Sequence, residues 1–178
     1  MKLKELPISL FHTLRLKAMG SNTLRKKRGN ELPVIVSLTS IPSRLSKVHI
    51  TLRSILSQPQ KPEKIVLWLH EDLNTKIPSS LKYLVGEIFE IRFTQLDSPH
   101  VKLIPSLIAF PDFSIITSDD DCIYRHNWLA SLYQTHLKEP NKIIAHRLRC
   151  IQFSETGETL PYKKWNCKGN ENPRFLLP

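Results

Sequence analysis

The stretch VIVSLTSIPSR, residues 34–44, decides the fold because a continuous apolar run passes directly into a short polar loop. Residues 34–38 are rich in β-branched side chains and do not alternate with polar ones. That pattern is typical of a strand buried on both faces of a sheet. We therefore expect a first buried strand here, with the hydroxyls and the guanidinium of TSIPSR lying where it ends.

Strand-like runs alternate with helical segments along the rest of the chain. Strands are predicted at residues 34–38, 65–69, 88–93, 114–117, 143–145 and 148–153, and helices at residues 45–57, 79–85, 100–109 and 127–137. The SETGET stretch, residues 154–159, is typical of a hairpin turn. The alternation predicts an α/β domain over residues 31–178, built on a mainly parallel sheet flanked by helices.

Composition restricts how this domain could bind a nucleotide. The chain has 178 residues, of which 40% are hydrophobic and 24% charged, so it has the balance of one globular domain and not of a disordered chain. It contains only 5 glycines, and neither G-x-G-x-x-G nor G-x-x-x-x-G-K-[ST] occurs. A glycine-built phosphate cradle is therefore excluded, and bound phosphates would need another source of positive charge.

The formal net charge of +10 is concentrated at the N-terminus. Residues 1–30 carry eight Lys or Arg side chains and one Glu, a net +7, so we expect no nucleic-acid partner for the domain body. Leucines in residues 1–19 recur near helical spacing, followed by the polar stretch SNTLRKKRGN, which we expect to be a linker. Two interpretations stay open: a solvated tail or helix packing on its own domain, and an amphipathic helix at an anionic membrane, with residues 25–28 at the headgroups.

Cysteine content and hydropathy bear on location. Cys122, Cys150 and Cys167 are odd in number and lack C-x-x-C spacing, which predicts reduced thiols in a reducing compartment. No apolar run approaches the roughly 18 residues of a membrane span. We expect a cytoplasmic protein, peripheral at the inner face of the cell membrane if residues 1–30 bind lipid.

Three consecutive carboxylates, Asp119, Asp120 and Asp121, directly follow the apolar run at residues 114–117. Side chains alternate in extended backbone, so Asp119 and Asp121 should point one way and Asp120 the other. Two carboxylates that project together repel each other unless a cation lies between them, and such oxygen ligands suit Mg²⁺ or Mn²⁺. The alternative is a solvated acidic turn or an N-cap for the next helix.

The TSIPSR loop would face these aspartates if the first and fourth strands were neighbours. Ligands of open α/β sheets lie beyond the carboxyl ends of the strands, where the strand order reverses. Thr39 and Ser40 could then contact a nucleoside or phosphate, and Arg44 could pair with phosphate oxygens. The alternative is a capped helix start, with Ser43 or Ser46 as the cap.

Two further polar residues could reach the same edge of the sheet. Asp72 follows the second strand, where its carboxylate could bind a base or ribose or could belong to a surface turn. Lys102 could fold back over the aspartates, although a lone lysine is more often a solvated surface residue.

Four segments together, VIVSLTSIPSR, PEKIVLWLHEDL, HVKLIPSL and FSIITSDDDCIY, resemble bacterial glycosyltransferases of the GT-A fold. The resemblance extends over roughly residues 33–178 and is closest to small family-two-like enzymes of surface polysaccharide synthesis. It implies that the three aspartates form the DXD-type motif, with Asp119 and Asp120 at the donor sugar nucleotide and Asp119 and Asp121 at the metal. Donor-side positions are implied for Thr39, Ser40, Arg44, Asp72 and Lys102.

The resemblance also implies an activity. A sugar would move from a nucleotide-diphosphate donor to a saccharide or lipid-linked acceptor, with Mn²⁺ or Mg²⁺ as the cofactor. Similar enzymes continue past the equivalent of FLLP into a glycine-rich acceptor-side segment, so we expect this domain to be incomplete. The alternative function is a catalytically inactive remnant that binds a nucleotide or a partner. No catalytic base is singled out among Glu155, Glu158 and Glu171.

Overall fold

The structure is a computed structural model that describes residues 6–146, 148–168 and 174–176. At its centre lies one all-parallel sheet of four strands. The strands are β1 (Leu32–Thr39), β2 (Pro62–His70), β3 (Phe89–Thr94) and β4 (Ser114–Thr117). Their spatial order is β3–β2–β1–β4, so β1 lies between the strand that follows it and the last one. The expected α/β class and parallel sheet flanked by helices are confirmed, in a Rossmann-like arrangement.

Both faces of the sheet are covered, as the continuous apolar run of β1 indicated. Val34, Val36 and Leu38 belong to the main hydrophobic core, whereas Ile35 packs in a smaller cluster. Because the β1–β4 pairing runs from Val34 opposite Ser114 to Ser37 opposite Thr117, the two strands end side by side.

Six α-helices surround the sheet within the described residues. They are α1 (Leu6–Ala18), α2 (Ser21–Arg25), α3 (Val48–Leu56), α4 (Ser79–Lys82), α5 (Ile104–Ala109) and α6 (Trp128–Lys138). Helix α3 starts later than predicted because a 3-10 turn, Pro42–Arg44, precedes it. Its N-cap is Lys47 without a side-chain capping bond, so the alternative interpretation of the loop, a helix start capped by Ser43 or Ser46, is not what the structure has.

Four short strands complete the described structure. Strand β5 (Cys122–Tyr124) pairs antiparallel with β8 (Arg174–Leu176), and β6 (Leu148–Cys150) pairs antiparallel with β7 (Asn166–Lys168). Strand β5, directly after the three aspartates, was not anticipated.

Two of the sequence predictions lie in the region between α6 and the hairpin. The strand expected at residues 143–145 does not form, because these residues have no pairing partner and Ile143 is fully exposed. The strand expected at residues 148–153 shortens to β6. The SETGET turn is present: Phe153 bridges Thr159, and Gly157 takes a φ of 80°, which suits glycine.

The N-terminal helices contact the body of the domain. Leu24 on α2 is fully buried in the main core, so the stretch expected to be a linker contains a packed helix. The buried ammonium of Lys61 donates hydrogen bonds to the carbonyl oxygens of Thr23, Leu24 and Lys26, at 3.1, 2.9 and 2.8 Å. These bonds satisfy carbonyls that the end of α2 would otherwise leave unpaired. Burial lowers the pKa of Lys61 below its usual value.

Location was also predicted from the sequence. Across the described part of the chain, every helix is too short or too polar to cross a bilayer. Neither Cys122 nor Cys150 forms a disulfide within the described residues, and the side chain of Cys167 lies outside them.

Candidate functional site

The site lies at the carboxyl ends of β1 and β4, where the strand order reverses. The condition set by the sequence, that the first and fourth strands be neighbours, is met. The amide of Ser118 extends the pairing one step beyond β4 by donating to the carbonyl of Ser37, at 2.9 Å. The aspartates therefore emerge beside the loop that follows β1, the position where open α/β sheets bind ligands.

Asp120 joins this loop to the end of β4. Its side chain is only 8% exposed and accepts hydrogen bonds from Ser40 Oγ at 2.6 Å and Arg44 Nη1 at 2.8 Å. Its backbone carbonyl accepts a third bond, from Thr51 Oγ1 on α3, at 2.9 Å. A carboxylate bound in this way positions its neighbours, and its own oxygens are already engaged.

Arg44 contacts two of the three aspartates. Besides its bond to Asp120, its Nη1 lies 3.5 Å from Oδ2 of Asp121. The hydrogen bond from Arg44 to Asp120, together with the negative charges of Asp120 and Asp121, raises the pKa of the guanidinium above its usual value. Its side chain is still 49% exposed, so part of the guanidinium can contact a second anion.

Lys102 contacts the aspartates from a different part of the chain. It ends the 3-10 turn Pro99–Lys102, and its Nζ lies 2.9 Å from Oδ1 of Asp119. The backbone amide of Asp119 donates to the hydroxyl of Tyr124 on β5, at 2.8 Å, which holds the backbone of the acidic segment. The structure thus brings Lys102, Arg44 and Ser40 into contact with the three aspartates.

Three side chains at this corner could share a metal ion. A carboxylate oxygen of Asp119, one of Asp121 and the thiol of Cys122 all lie within 4.8 Å of one another. Both carboxylates are half-buried, whereas the side chain of Asp120 is bound to the loop. Asp120 and Asp121 lie in a turn, so the alternation expected from extended backbone is not the cause of this arrangement. The two carboxylates suit Mg²⁺ or Mn²⁺, whereas a thiol ligand is typical of softer ions.

One further observation suggests an unsatisfied corner. The hydroxyl of Ser118, next to Asp119 in the chain, is buried and has no hydrogen-bond partner among the described residues.

Two of the predicted site residues have other partners. The hydroxyl of Thr39 donates to the carbonyl of Trp68 on β2, at 2.8 Å, and so ties β1 to its neighbour. Asp72 is 83% exposed, and its Oδ2 lies 3.2 Å from Nδ1 of His70. Neither contact joins these residues to the aspartates, although both lie at the same edge of the sheet.

The sequence analysis did not single out Thr51, Cys122 or Tyr124 as site residues. Thr51 lies on the buried face of α3, where apolar spacing hid its role. Cys122 was interpreted only as a reduced thiol. For Tyr124 the signal was available: it lies three residues past Asp121, so its hydroxyl can fold back onto the acidic segment.

One concavity of the described surface lies away from the aspartates. A shallow depression of about 310 Å³ is lined by Asn22, Thr23 and residues 26–28, and shares no residue with the acidic corner. Lys27 in its wall already pairs with Glu63. We place the site at the aspartates because charge and hydrogen bonding converge there, whereas the depression offers only surface cations.

Comparison with known proteins adds no relative to this description. No protein-family model matches the chain, and no curated protein matches it significantly. The functional argument therefore rests on the residues described above.

Proposed function

We propose that the chain binds a divalent cation and the diphosphate of a nucleotide sugar at the edge where β1 and β4 end. The protein would act as a glycosyltransferase of the GT-A type, moving the sugar to a saccharide or lipid-linked acceptor. One observation carries the proposal: a buried Asp120, fixed by Ser40 and Arg44, supports two half-buried carboxylates that converge with a thiol.

Each charged residue has a distinct role in this proposal. Asp119 and Asp121 are the candidate ligands of Mn²⁺ or Mg²⁺, and the thiol of Cys122 lies within reach of the same ion. Arg44 and Lys102 replace the missing glycine cradle, because their cationic groups can pair with phosphate oxygens. Asp120 acts through others by keeping Arg44 and the loop in place.

The chemistry that the ion would supply is stabilisation of the negative charge on the departing diphosphate. Arg44 and Lys102 add fixed positive charge at the same place, without reorganising during the reaction. An inverting reaction would also need a carboxylate to deprotonate the acceptor hydroxyl. Glu155 and Glu158 are exposed on the hairpin turn, and Glu171 lies outside the described residues.

A thermal-shift panel of nucleotides and sugar nucleotides, each with and without MnCl₂, tests donor binding. We expect stabilisation that requires both the nucleotide and the metal, growing to about 3 kcal/mol at a hundredfold excess over Kd. Asp121→Asn should remove the metal-dependent part and leave the melting temperature without ligand nearly unchanged. Asp112→Asn, an exposed aspartate just before β4, is the matched control and should behave as the wild type.

Two results would count against the proposal. If the metal does not change the melting temperature of the wild type, the proposed cation site is wrong. If Asp121→Asn shows the same metal-dependent increase in melting temperature as the wild type, the cation does not bind at Asp121. An assay of sugar-nucleotide hydrolysis with Mn²⁺ then distinguishes an active enzyme from a catalytically inactive remnant. Donor binding without turnover would favour an inactive nucleotide-binding protein.

A further inference from the structure

Helix α1 is docked on the domain with its polar face inward. Ser9 and Thr13 are buried together with Leu16, which packs against Ile50 of α3 and Ile123 of β5. Small polar side chains thus occupy the protected side, although the helix contains several large apolar residues that would gain more from burial.

Those large apolar residues face outward instead. Leu10, Phe11 and Leu14 are 50%, 64% and 59% exposed. At about 100° per residue they fall on one strip of the helix, opposite the buried face. We call Leu10, Phe11 and Leu14 the outer strip. A strip of large apolar side chains that the fold itself leaves uncovered indicates a partner.

The charges around the outer strip indicate which partner. Helical spacing places Arg15 along one border of the strip and Lys17 along the other, and both side chains are exposed. Helix α1 contains no acidic residue, and residues 1–30 carry a net charge of +7. Apolar side chains between two cations match the boundary of an anionic bilayer, where the rings and methyls enter the acyl region and the cations meet the phosphates.

The docking of α1 on the body makes this strip a rigid surface. Arg53 of α3 donates from Nη1 to the carbonyl oxygens of Leu16 and Met19, at 3.0 and 2.7 Å, and so fixes the end of the helix. Its Nη2 also reaches Ser21 Oγ, at 3.1 Å. The helix is held from behind while the outer strip stays accessible, so binding would cost little ordering of the chain.

We propose that the outer strip is a membrane-binding surface that holds the domain on anionic lipid. Arg15 and Lys17 supply the contact with lipid phosphates. Lys27 is less suited than the sequence suggested, because its ammonium pairs with Glu63. The inference is independent of the sugar-transfer proposal, since it uses no residue of the acidic corner.

Sedimentation of the full chain with vesicles tests the surface. We expect capture by vesicles of equal parts phosphatidylcholine and phosphatidylglycerol, weakened by added salt, and little capture by phosphatidylcholine alone. Phe11→Ser with Leu14→Ser should reduce the partition coefficient at least about tenfold. Leu137→Ser with Ile143→Ser removes two exposed apolar side chains elsewhere and should leave capture unchanged.

Two double variants test the contribution of the cationic side chains to membrane binding. Arg15→Gln with Lys17→Gln should lower capture by the anionic vesicles about thirtyfold, the effect expected of two surface cations near anionic lipid. Lys76→Gln with Lys82→Gln makes the same change of net charge away from α1 and should have little effect. Equal losses in both double variants would overturn the proposal in favour of nonspecific attraction by the basic chain.

Two other results would also overturn it. One is the absence of capture by the anionic vesicles at low salt. The other is a stable dimer, seen by analytical ultracentrifugation without lipid, that Phe11→Ser with Leu14→Ser converts to a monomer. In that case the outer strip contacts a second copy of the chain.

Discussion

Ser40 Oγ donates a hydrogen bond of 2.6 Å to Oδ2 of Asp120, a residue eighty positions further along the chain. The bond joins the loop after β1 to the segment after β4, and Arg44 of the same loop adds a second bond to the same carboxylate. Because Asp120 is buried, the bond from Ser40 is shielded from water, and the loop geometry depends on this one carboxylate.

Asp120→Ala should therefore loosen the loop as well as lower stability. We expect the free energy of unfolding to fall by about 1–3 kcal/mol, because a buried charged acceptor is lost and the Ser40 hydroxyl is left unpaired. The half-exposed pair with Arg44 contributes only a small part of this loss. Urea denaturation measures the change, with the exposed Asp112→Ala as the control. A loss no larger than that of the control would show that the Ser40–Asp120 bond does not stabilise the fold.

Lys102→Ala should affect metal and nucleotide binding in opposite directions. Without the ammonium, Asp119 is freed from a competing cation, so the affinity for Mn²⁺ alone should rise about two- to fivefold. The affinity for the nucleotide diphosphate in the presence of Mn²⁺ should fall, because one phosphate-neutralising charge is lost. Isothermal titration measures both affinities.

Lys76→Ala, an exposed lysine after β2, is the control for that experiment. If Lys102→Ala weakened both ligands equally, the lysine would be shaping the site and not competing with the metal. If neither affinity changed, the Lys102–Asp119 pair would be incidental.

The sequence predicted correctly those parts of the fold that depend on residues close together in the chain. Strand β4 lies where it was expected because the run at residues 114–117 contains two adjacent isoleucines and is followed by Ser118 and the three aspartates, which mark its end. The short run at residues 143–145 has equal apolar character, yet it forms no strand. A strand forms only where a neighbouring strand pairs with it, and the apolar residues of a short run do not show whether such a neighbour exists.

The site was predictable in its residues but not in its contacts. Ser40, Arg44 and Asp120 were all candidates, whereas their convergence depends on β1 lying next to β4, a long-range property. The orientation of α1 was unpredictable for a related reason. Periodicity identifies an apolar stripe at Leu10 and Leu14, but it does not say whether that stripe faces the core, and here it faces outward.

His49 on α3 should make the protein less stable in mild acid. Burial, together with the nearby Arg53 and Lys17, lowers the pKa of His49 below 6.5 in the folded state. The folded protein then binds fewer protons than the unfolded chain, so stability is full above pH 6.5 and declines as pH falls through the lowered pKa. His49→Asn should reduce this decline in a melting-temperature series across the window, whereas the exposed His126→Asn should not. Parallel curves for wild type and His49→Asn would exclude His49 as the cause.

Lys61→Met tests how the N-terminal helices are held on the domain. The substitution keeps an apolar stem in the core but removes the ammonium, so the carbonyls of Thr23, Leu24 and Lys26 lose their donor. We expect a loss of about 1–3 kcal/mol in unfolding free energy, together with faster hydrogen exchange and faster trypsin cleavage at residues 25–28. Lys64→Met is the matched control, because Lys64 lies three residues further along the chain, on β2, and pairs with Glu90 near the surface. The lowered pKa of Lys61 limits the loss, since part of the cost of burying its charge disappears with the ammonium. If cleavage stayed slow in Lys61→Met while stability fell, the burial of Leu24 and not the ammonium would hold α2 in place.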